Sequence, residues 1–250
     1  MAAPSTADDE GRATAVVTGG GSGIGAACAR RLADTGHLVV LVGRRSEPLE
    51  QTRDAIAHEG GAAQAFAADV RDADRLGELY DAITGWSDGV DVVVNAAGGQ
   101  FMTPAEELTP NGWRAVVDTN LTGTFLVCQR MFPLLCRRGG AIVNVVANIW
   151  RVAAPGMAHS GAARAGVVSL TRTLALEWAG HGIRVNALSP GLTDTAALRA
   201  QLGDLSGPAE RVPLQRVATP EEVADAAMFL VSSAYITGEV LTVDGGAHLR

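Results

Sequence analysis

One stretch of the chain has the composition of a phosphate-binding turn. Thr18-Gly19-Gly20-Gly21-Ser22-Gly23-Ile24-Gly25 follows a β-branched run and leads into Ala-rich sequence of helical spacing from about Ala26. Glycines let a backbone turn sharply and come close to a pyrophosphate, and a helix amino end adds free N–H groups and a favourable dipole. Glycines also build ordinary turns, so context decides: this stretch closes a strand, opens a helix and leads to a second strand. The end of that second strand selects the cofactor. A carboxylate there would hold the ribose 2′-hydroxyl of NAD. The chain has Gly43-Arg44-Arg45 instead. Two guanidiniums suit the 2′-phosphate of NADPH through charge-assisted hydrogen bonds; the alternative is a solvated Arg pair. Asp69-Val70 stand where an adenine would be received, unless the acid only caps a helix starting near Asp72.

The elements that position these residues are legible as an alternation. Short runs at Thr14–Thr18, Leu38–Val42, Ala63–Ala68, Val90–Val94, Ile142–Val146, Ile183–Leu188 and Val240–Val243 are separated by Ala-rich, Arg/Glu-bearing stretches. The first six are nearly continuous apolar runs, as parallel strands covered on both faces require. Strands alternating with helices predict repeated βαβ units. The expected fold class is α/β: a doubly wound, Rossmann-like parallel sheet of seven strands flanked by helices, in a single domain over residues 12–250. Residues 1–11 read as a flexible N-terminal tail. Gly36 and Gly60-Gly61 follow helical stretches, as C-terminal glycines do. Thr219-Pro220-Glu221-Glu222 reads as a cap, a first-turn Pro and two acids at a helix amino end. Such a sheet binds its ligand at the carboxyl edge, where the strand order reverses.

Composition narrows the function. A formal charge of −7 argues against a nucleic-acid or anionic-membrane surface. No apolar run reaches the roughly 20 residues of a membrane span. The acidic start lacks the apolar core of a secretory signal. Cys28, Cys128 and Cys136 have no metal-ligand spacing, so no metal site is expected, and they read as small hydrophobes in a reducing, cytoplasmic setting.

The motifs together resemble the short-chain dehydrogenase/reductase family over nearly the whole chain. Thr18–Gly25 is similar to that family's TGxxxGIG loop, and Asn95-Ala96-Ala97-Gly98 to its NNAG element, with Ala in the second place. Asn120 falls at the family's helix Asn. Pro190-Gly191, Thr193 and Thr195 resemble the turn that holds the nicotinamide carboxamide. Ile236-Thr237-Gly238 and Val243-Asp244-Gly245-Gly246 resemble the C-terminal signature. The resemblance implies cofactor contacts from Thr18, Gly19, Ser22, Gly23, Ile24 and Gly25, from Asn95–Gly98 and from Pro190, Gly191, Thr193 and Thr195, and a substrate lid over residues 195–213.

The chemistry departs from the pattern. Family members carry a Ser after the fifth strand and Tyr-x-x-x-Lys at the next helix. Here Arg164 stands in the Lys place, Ser160 in the Tyr place and Ala147 in the Ser place; only Asn120 of the tetrad survives. No shift of register restores it, because the chain has no Lys and only two tyrosines, Tyr80 and Tyr235. An acid–base partner is typically worth about 10²–10⁴-fold, so ordinary ketone–alcohol interconversion is disfavoured. Within the family, Asn95–Phe101, Thr119–Phe125, His159–Val167 and Leu174–Trp178 resemble the peroxisomal trans-2-enoyl-CoA reductases. That branch has a Tyr where this chain has Val168, and a peroxisomal C-terminal tripeptide where this chain has His248-Leu249-Arg250.

The resemblance implies NADPH-dependent reduction of an activated C=C bond in a 2-enoyl thioester or an enone. Alkene reduction asks less of an acid. Hydride adds to the β-carbon, charge collects on the carbonyl oxygen, and hydrogen-bond donors stabilise it. Arg164 supplies a fixed positive charge and takes over the ribose contact, Ser160 and Asn148 offer donors, and Asn120 holds a water or backbone group. The bland alternatives are a helix-capping Ser160, a surface Arg164 and an Asn148 that only satisfies loop backbone. His159 is tempting as an acid, but adjacent helical residues point about 100° apart. Trp150, Phe101 and Met102 suit an apolar pocket or plain packing. Two other readings stay open: altered chemistry on the same scaffold (imine or polyketide carbonyl reduction, or a non-redox cyclisation), and a silent NADPH-binding protein. The helices expected at Trp113–Arg138 and Ser160–Ala179 correspond to those that build a homotetramer in the family; a homodimer is the alternative.

Overall fold

The computed structural model describes residues 12–249. The expected N-terminal tail, 1–11, lies outside the described residues. Seven parallel strands form one sheet in the order β3-β2-β1-β4-β5-β6-β7. They are β1 (Thr14–Thr18), β2 (Leu38–Gly43), β3 (Ala62–Ala67), β4 (Val92–Asn95), β5 (Gly140–Val145), β6 (Ile183–Pro190) and β7 (Val240–Val243). Each expected run became a strand, with bounds shifted by at most two residues. The order reverses between β1 and β4. That switch point opens a crevice at the carboxyl ends, where the Gly-rich stretch emerges.

Alternation along the strands explains why the sheet is covered twice. Val16, Val40 and Val93 join one buried cluster with Leu79, Val127 and Met131. Ala15, Val17, Leu41 and Val94 join another with Leu32, Ile56 and Leu230. Successive side chains on a strand point to opposite faces, so strands apolar at every position need helices on both sides. One layer holds α1 (Gly23–Asp34), α2 (Ser46–His58) and α9 (Pro220–Ser232); the other holds α3 (Ala73–Thr84), α4 (Pro110–Val117), α5 (Gly123–Leu135) and α6 (Ala158–Trp178). The outer strand β3 buries only Phe66, because an edge strand has a neighbour on one side alone.

The helix expected across Trp113–Arg138 is interrupted. Asp118–Thr122 form a π turn between α4 and α5. Asn120 causes part of it: the amide turns inward and Nδ2 donates to the carbonyl of Val116, 2.7 Å away. A side chain that bonds the backbone in this way competes with the helical ladder. The α9 start is as read from the sequence, since Thr219 and Glu222 form a reciprocal capping box. Cys28 and Cys128 are buried free thiols, pushed up to about 12 by desolvation. Among the described residues there is no helix long and apolar enough to cross a membrane and no cluster of potential metal ligands.

Candidate active site

The phosphate loop is fitted so closely that side chains are excluded. A Cβ on Gly25 would lie 2.3 Å from the carbonyl oxygen of Gly19, and one on Gly19 would lie 2.8 Å from that of Ala96. Gly19 and Gly23 also have φ of +68° and +52°, a region that favours glycine. Thr18 closes β1 beside Asn95, the last residue of β4. Its Oγ1 accepts from the backbone N of Ala97 at 3.1 Å, which ties the two loops of the crevice together. Ser22 holds the position before α1 with extended backbone and makes no side-chain cap. The first N–H groups of a helix have no intrahelical partner, so the α1 end faces the crevice as a donor set.

One cavity joins residues from four separate loops. Gly19, Ser22, Arg44, Arg45, Asp69, Val70, Ala97 and Gly98 all line it. Gly21 and Gly43 of the same two motifs line it too, as do Pro48, Ala68 and Thr119, to which sequence reasoning assigned no site role. Arg44 and Arg45 are exposed, and neither has an ion pair or hydrogen bond among the described residues. Asp69 is different. Arg71 grips it through Nε at 3.0 Å and a terminal nitrogen at 2.7 Å, and that bond holds the carboxyl below its ordinary range. The helix cap is supplied by Asp72, so Asp69 is left at the cavity wall. The site therefore presents two uncommitted cations where a 2′-phosphate would sit and a glycine cradle where a pyrophosphate would sit. These residues fit NADP(H).

The middle of the crevice is organised by Asn120. The side chain is fully buried, donates to the carbonyl of Gly99 at 2.8 Å, and accepts from the N of Gly99 at 3.3 Å. It clamps the loop after β4 onto the π turn. Arg164 lies against the same loop. A Cβ on Gly98 would meet both an Arg164 terminal nitrogen and Asn120 Oδ1 at 2.6 Å, so Gly98 makes room for the guanidinium. Another terminal nitrogen of Arg164 donates to the carbonyl of Val145 at 2.7 Å. Its Nε is sealed from solvent without a partner, and Arg164 has no ion pair among the described residues. Desolvation pulls its pKa down to about 10, which leaves it charged at neutral pH. This is no ordinary surface Arg: a desolvated cation with one hydrogen bond attracts an anion or hydroxyl.

Ser160 is buried one helical turn before Arg164 and does not cap α6, whose preceding residue is Met157. Its hydroxyl donates to Oε1 of Gln100 at 2.8 Å. That bond turns the Gln100 amide so that, among the described residues, Nε2 has no partner on an exposed residue. Gln100 is the functional candidate that sequence reasoning missed. His159 is fully buried and packs edge-to-face with Phe101, ring centroids 4.6 Å apart. Its Nδ1 accepts from the N of Ser160 at 2.8 Å, and burial lowers its pKa. A neutral ring accepting at Nδ1 carries its proton on Nε2, which has no partner.

Asn148 points elsewhere. It lies in the short turn Asn148–Trp150 after β5; Nδ2 donates to Asp244 at 2.6 Å and Oδ1 accepts from Ser189 at 3.1 Å. Trp150 Nε1 donates to the same Ser189 hydroxyl, so this indole belongs to the network more than to an apolar pocket. Neither tyrosine enters the crevice: Tyr80 packs against the core from α3, and Tyr235 is fully exposed.

The turn after β6 brings the segment expected as a lid to the phosphate loop. Pro190 ends β6 and Thr193 Oγ1 donates to the carbonyl of Gly191 at 3.2 Å. Thr195 caps α7 (Ala196–Leu202), accepting from the N of Leu198 at 3.2 Å. Its Cγ2 lies 3.0 Å from where a Cβ on Gly23 would stand. The expected lid, 195–213, thus starts on the phosphate loop and folds as α7 and a shorter α8 (Ser206–Glu210).

Known proteins share this architecture. A family model described as Enoyl-(Acyl carrier protein) reductase matches residues 19–248. A probable 2,4-dienoyl-CoA reductase of Bacillus subtilis is 39% identical over 244 residues, spanning 94% of this chain and 96% of that protein. A 3beta-hydroxysteroid dehydrogenase of Eggerthella lenta is 40% identical, spanning 97% of this chain and 96% of that one. The structure of actinorhodin polyketide ketoreductase with NADPH superposes with a TM-score of 0.91 at 33% identity, covering 96% of this chain and 99% of that one.

Proposed function

The chain belongs to the short-chain dehydrogenase/reductase family, and from that premise we propose that it is an NADPH-dependent reductase of an activated C=C bond. The substrate is a small, largely apolar acyl thioester or enone. The observation that carries the reading is the site around Arg164. It holds a guanidinium whose Nε is sealed from solvent, the Gln100 amide and the Ser160 hydroxyl, and neither a phenol nor an amine. Such a set stabilises negative charge on an oxygen but offers poor proton donation to an alkoxide.

NADPH, when bound, supplies the hydride. Gly19, Ser22, Gly23, Ile24 and Gly25 hold its pyrophosphate, Arg44 and Arg45 its 2′-phosphate, and Asp69 and Val70 flank the adenine. Thr18, Asn95, Ala96, Ala97 and Gly98 shape the crevice beside the ribose. Pro190, Gly191, Thr193 and Thr195 form the wall for the carboxamide. Arg164 holds the nicotinamide ribose and keeps a positive charge there. Gln100 Nε2 donates to the substrate carbonyl oxygen, and Ser160 keeps that amide turned. Asn120 positions the loop that carries Gln100. The α-carbon takes its proton from water. The likeness to the Bacillus dienoyl-CoA reductase supports this reading. The likeness to a steroid dehydrogenase and a ketoreductase supports carbonyl reduction as the second reading, against which the missing phenol weighs. The enzyme is proposed to act in the cytoplasm as a homotetramer.

The test is turnover. Purified protein with NADPH is given trans-2-enoyl thioesters, enones, ketones and imines, and cofactor oxidation is followed. Oxidation with enoyl substrates and not with ketones or imines is the expected result. Turnover of ketones or imines alone would overturn the reading, as would tight NADPH binding with no turnover of any.

A further inference from the structure

The carboxyl end of the chain packs where three segments on the substrate side converge. After β7, Asp244 opens a turn that ends in the helical residues Ala247–Leu249. Asp244 is only 7% exposed. Its carboxylate accepts from Asn148 Nδ2 at 2.6 Å, from the N of Gly246 at 3.0 Å and from the N of His248 at 2.9 Å. His248 Nδ1 lies 2.9 Å from each of its oxygens. Asn148 carries the turn after β5. Through Ser189 the same amide reaches the end of β6, where a Cβ on Gly191 would lie 2.7 Å from Asp244 Cβ.

The same C-terminal turn also touches the exit of the lid. The N of Leu214 donates to the carbonyl of Gly245 at 3.3 Å. A Cβ on Gly245 would stand 2.6 Å from Val212 Cγ1, and one on Gly246 3.2 Å from Pro213 Cγ. Just beyond, Gln215 has φ +53°, the one left-handed residue other than glycine among the described residues. A residue held in this region persists only where its surroundings over-determine it, and here its N donates to the carbonyl of Val212 at 2.7 Å.

We propose that Asp244 is a positioning residue: with His248 it forms a clasp that fixes the Asn148–Trp150 turn and holds the lid exit in register with it. A buried carboxylate with several donors is a stiff node, because each bond is charge-assisted and each donor is otherwise unsatisfied. Loosening the node frees the turn and with it the lid exit, Val212–Leu214, that packs on Gly245 and Gly246. The proposal deepens the reductase reading, since the turn and the lid border that site, and its test separates lid opening from turnover.

The chain has no Lys, so trypsin cuts only after Arg, and the lid carries Arg199 and Arg211, both exposed. Wild type, Asp244→Asn, His248→Ala and His248→Asn are digested briefly, and the sites are read by mass spectrometry. Asp244→Asn and His248→Ala are expected to cleave roughly 10-fold faster at Arg199 and Arg211, the effect of losing one charge-assisted bond, with cleavage after Arg30 in α1 unchanged. His248→Asn keeps a donor near the Nδ1 position and is expected to behave as wild type. If Asp244→Asn does not fold, the two His248 variants carry the comparison. Equal acceleration at Arg30 and in the lid, or no acceleration in the lid, would overturn the clasp. With an accepted enoyl thioester, the same loosened variants lose about 10-fold in kcat at unchanged NADPH Kd. A wild type that turns over nothing would fail the reductase reading while the cleavage comparison still decides the clasp.

Discussion

Arg44, Arg45 and Arg164 divide the work of three guanidiniums in different ways. The first two are exposed and uncommitted, so they are free to take a phosphate. Replacing both by Ala is expected to weaken NADPH by roughly 10- to 100-fold, the worth of one or two charge-assisted bonds, and to leave NADH nearly unchanged. Calorimetric titration with the two cofactors checks this; an equal loss for both would remove the phosphate assignment. Arg164 is desolvated and has a single bonded partner in the unliganded chain. Removing such a charge relieves a cost. Arg164→Met should therefore leave the unliganded protein as stable or more stable by about 1 kcal/mol, while the thermal shift on adding NADPH shrinks. A large loss of unliganded stability would mean that the guanidinium is structural.

At the scale of elements, the interruption between α4 and α5 is the feature that serves the site. Asn120 uses the π turn to satisfy Val116 and Gly99 together. Asn120→Ala leaves the buried Val116 carbonyl unpaired and is expected to cost about 2 kcal/mol by chemical denaturation, with a fall in NADPH affinity as the Gly98 loop loosens. Thr219→Ala, which removes half of the α9 capping box, should cost about 1 kcal/mol with NADPH binding intact. The contrast also marks what was legible. The strands and the α9 cap are written locally, in apolar runs and a four-residue signature, and were read with nearly correct bounds. The Gly-rich loop was legible for the same reason. The π turn was not, because Asn120 competes with a helical ladder that the surrounding residues favour. The Gln100–Ser160 pair joins residues 60 positions apart and the Asn148–Asp244 pair joins residues 96 apart. No local pattern encodes such a contact. It appears only once β4, β5 and β7 are brought to one sheet edge.

For the whole molecule, two buried groups contribute separate steps to the response to acid. His159 has its pKa lowered by burial from the ordinary 6.5, so the unfolded chain takes up a proton first as pH falls. Stability should start to decline below about pH 6.5 and the step should vanish in His159→Gln. Asp244 is pushed up by burial, but the bonds from His248 and Gly246 outweigh this and hold it below 3.8. Its contribution is present above that value and is lost as pH falls through the lower folded value. Thermal melts across this range check both steps; stability that is flat from pH 7 to 5 would contradict the burial of a neutral His159.

The central claim is that hydride goes to carbon conjugated with a carbonyl, in a site with neither the phenol nor the amine of the usual family pair. The most direct measurement is isotopic. The protein is incubated with C4-deuterated NADPH and a mixture of trans-2-enoyl thioesters, enones and ketones, and the products are analysed by mass spectrometry. Deuterium at the β-carbon of a saturated product is the result predicted. Deuterium at a carbinol carbon, with none at a β-carbon, would contradict the account and assign carbonyl chemistry to a site lacking both Tyr and Lys.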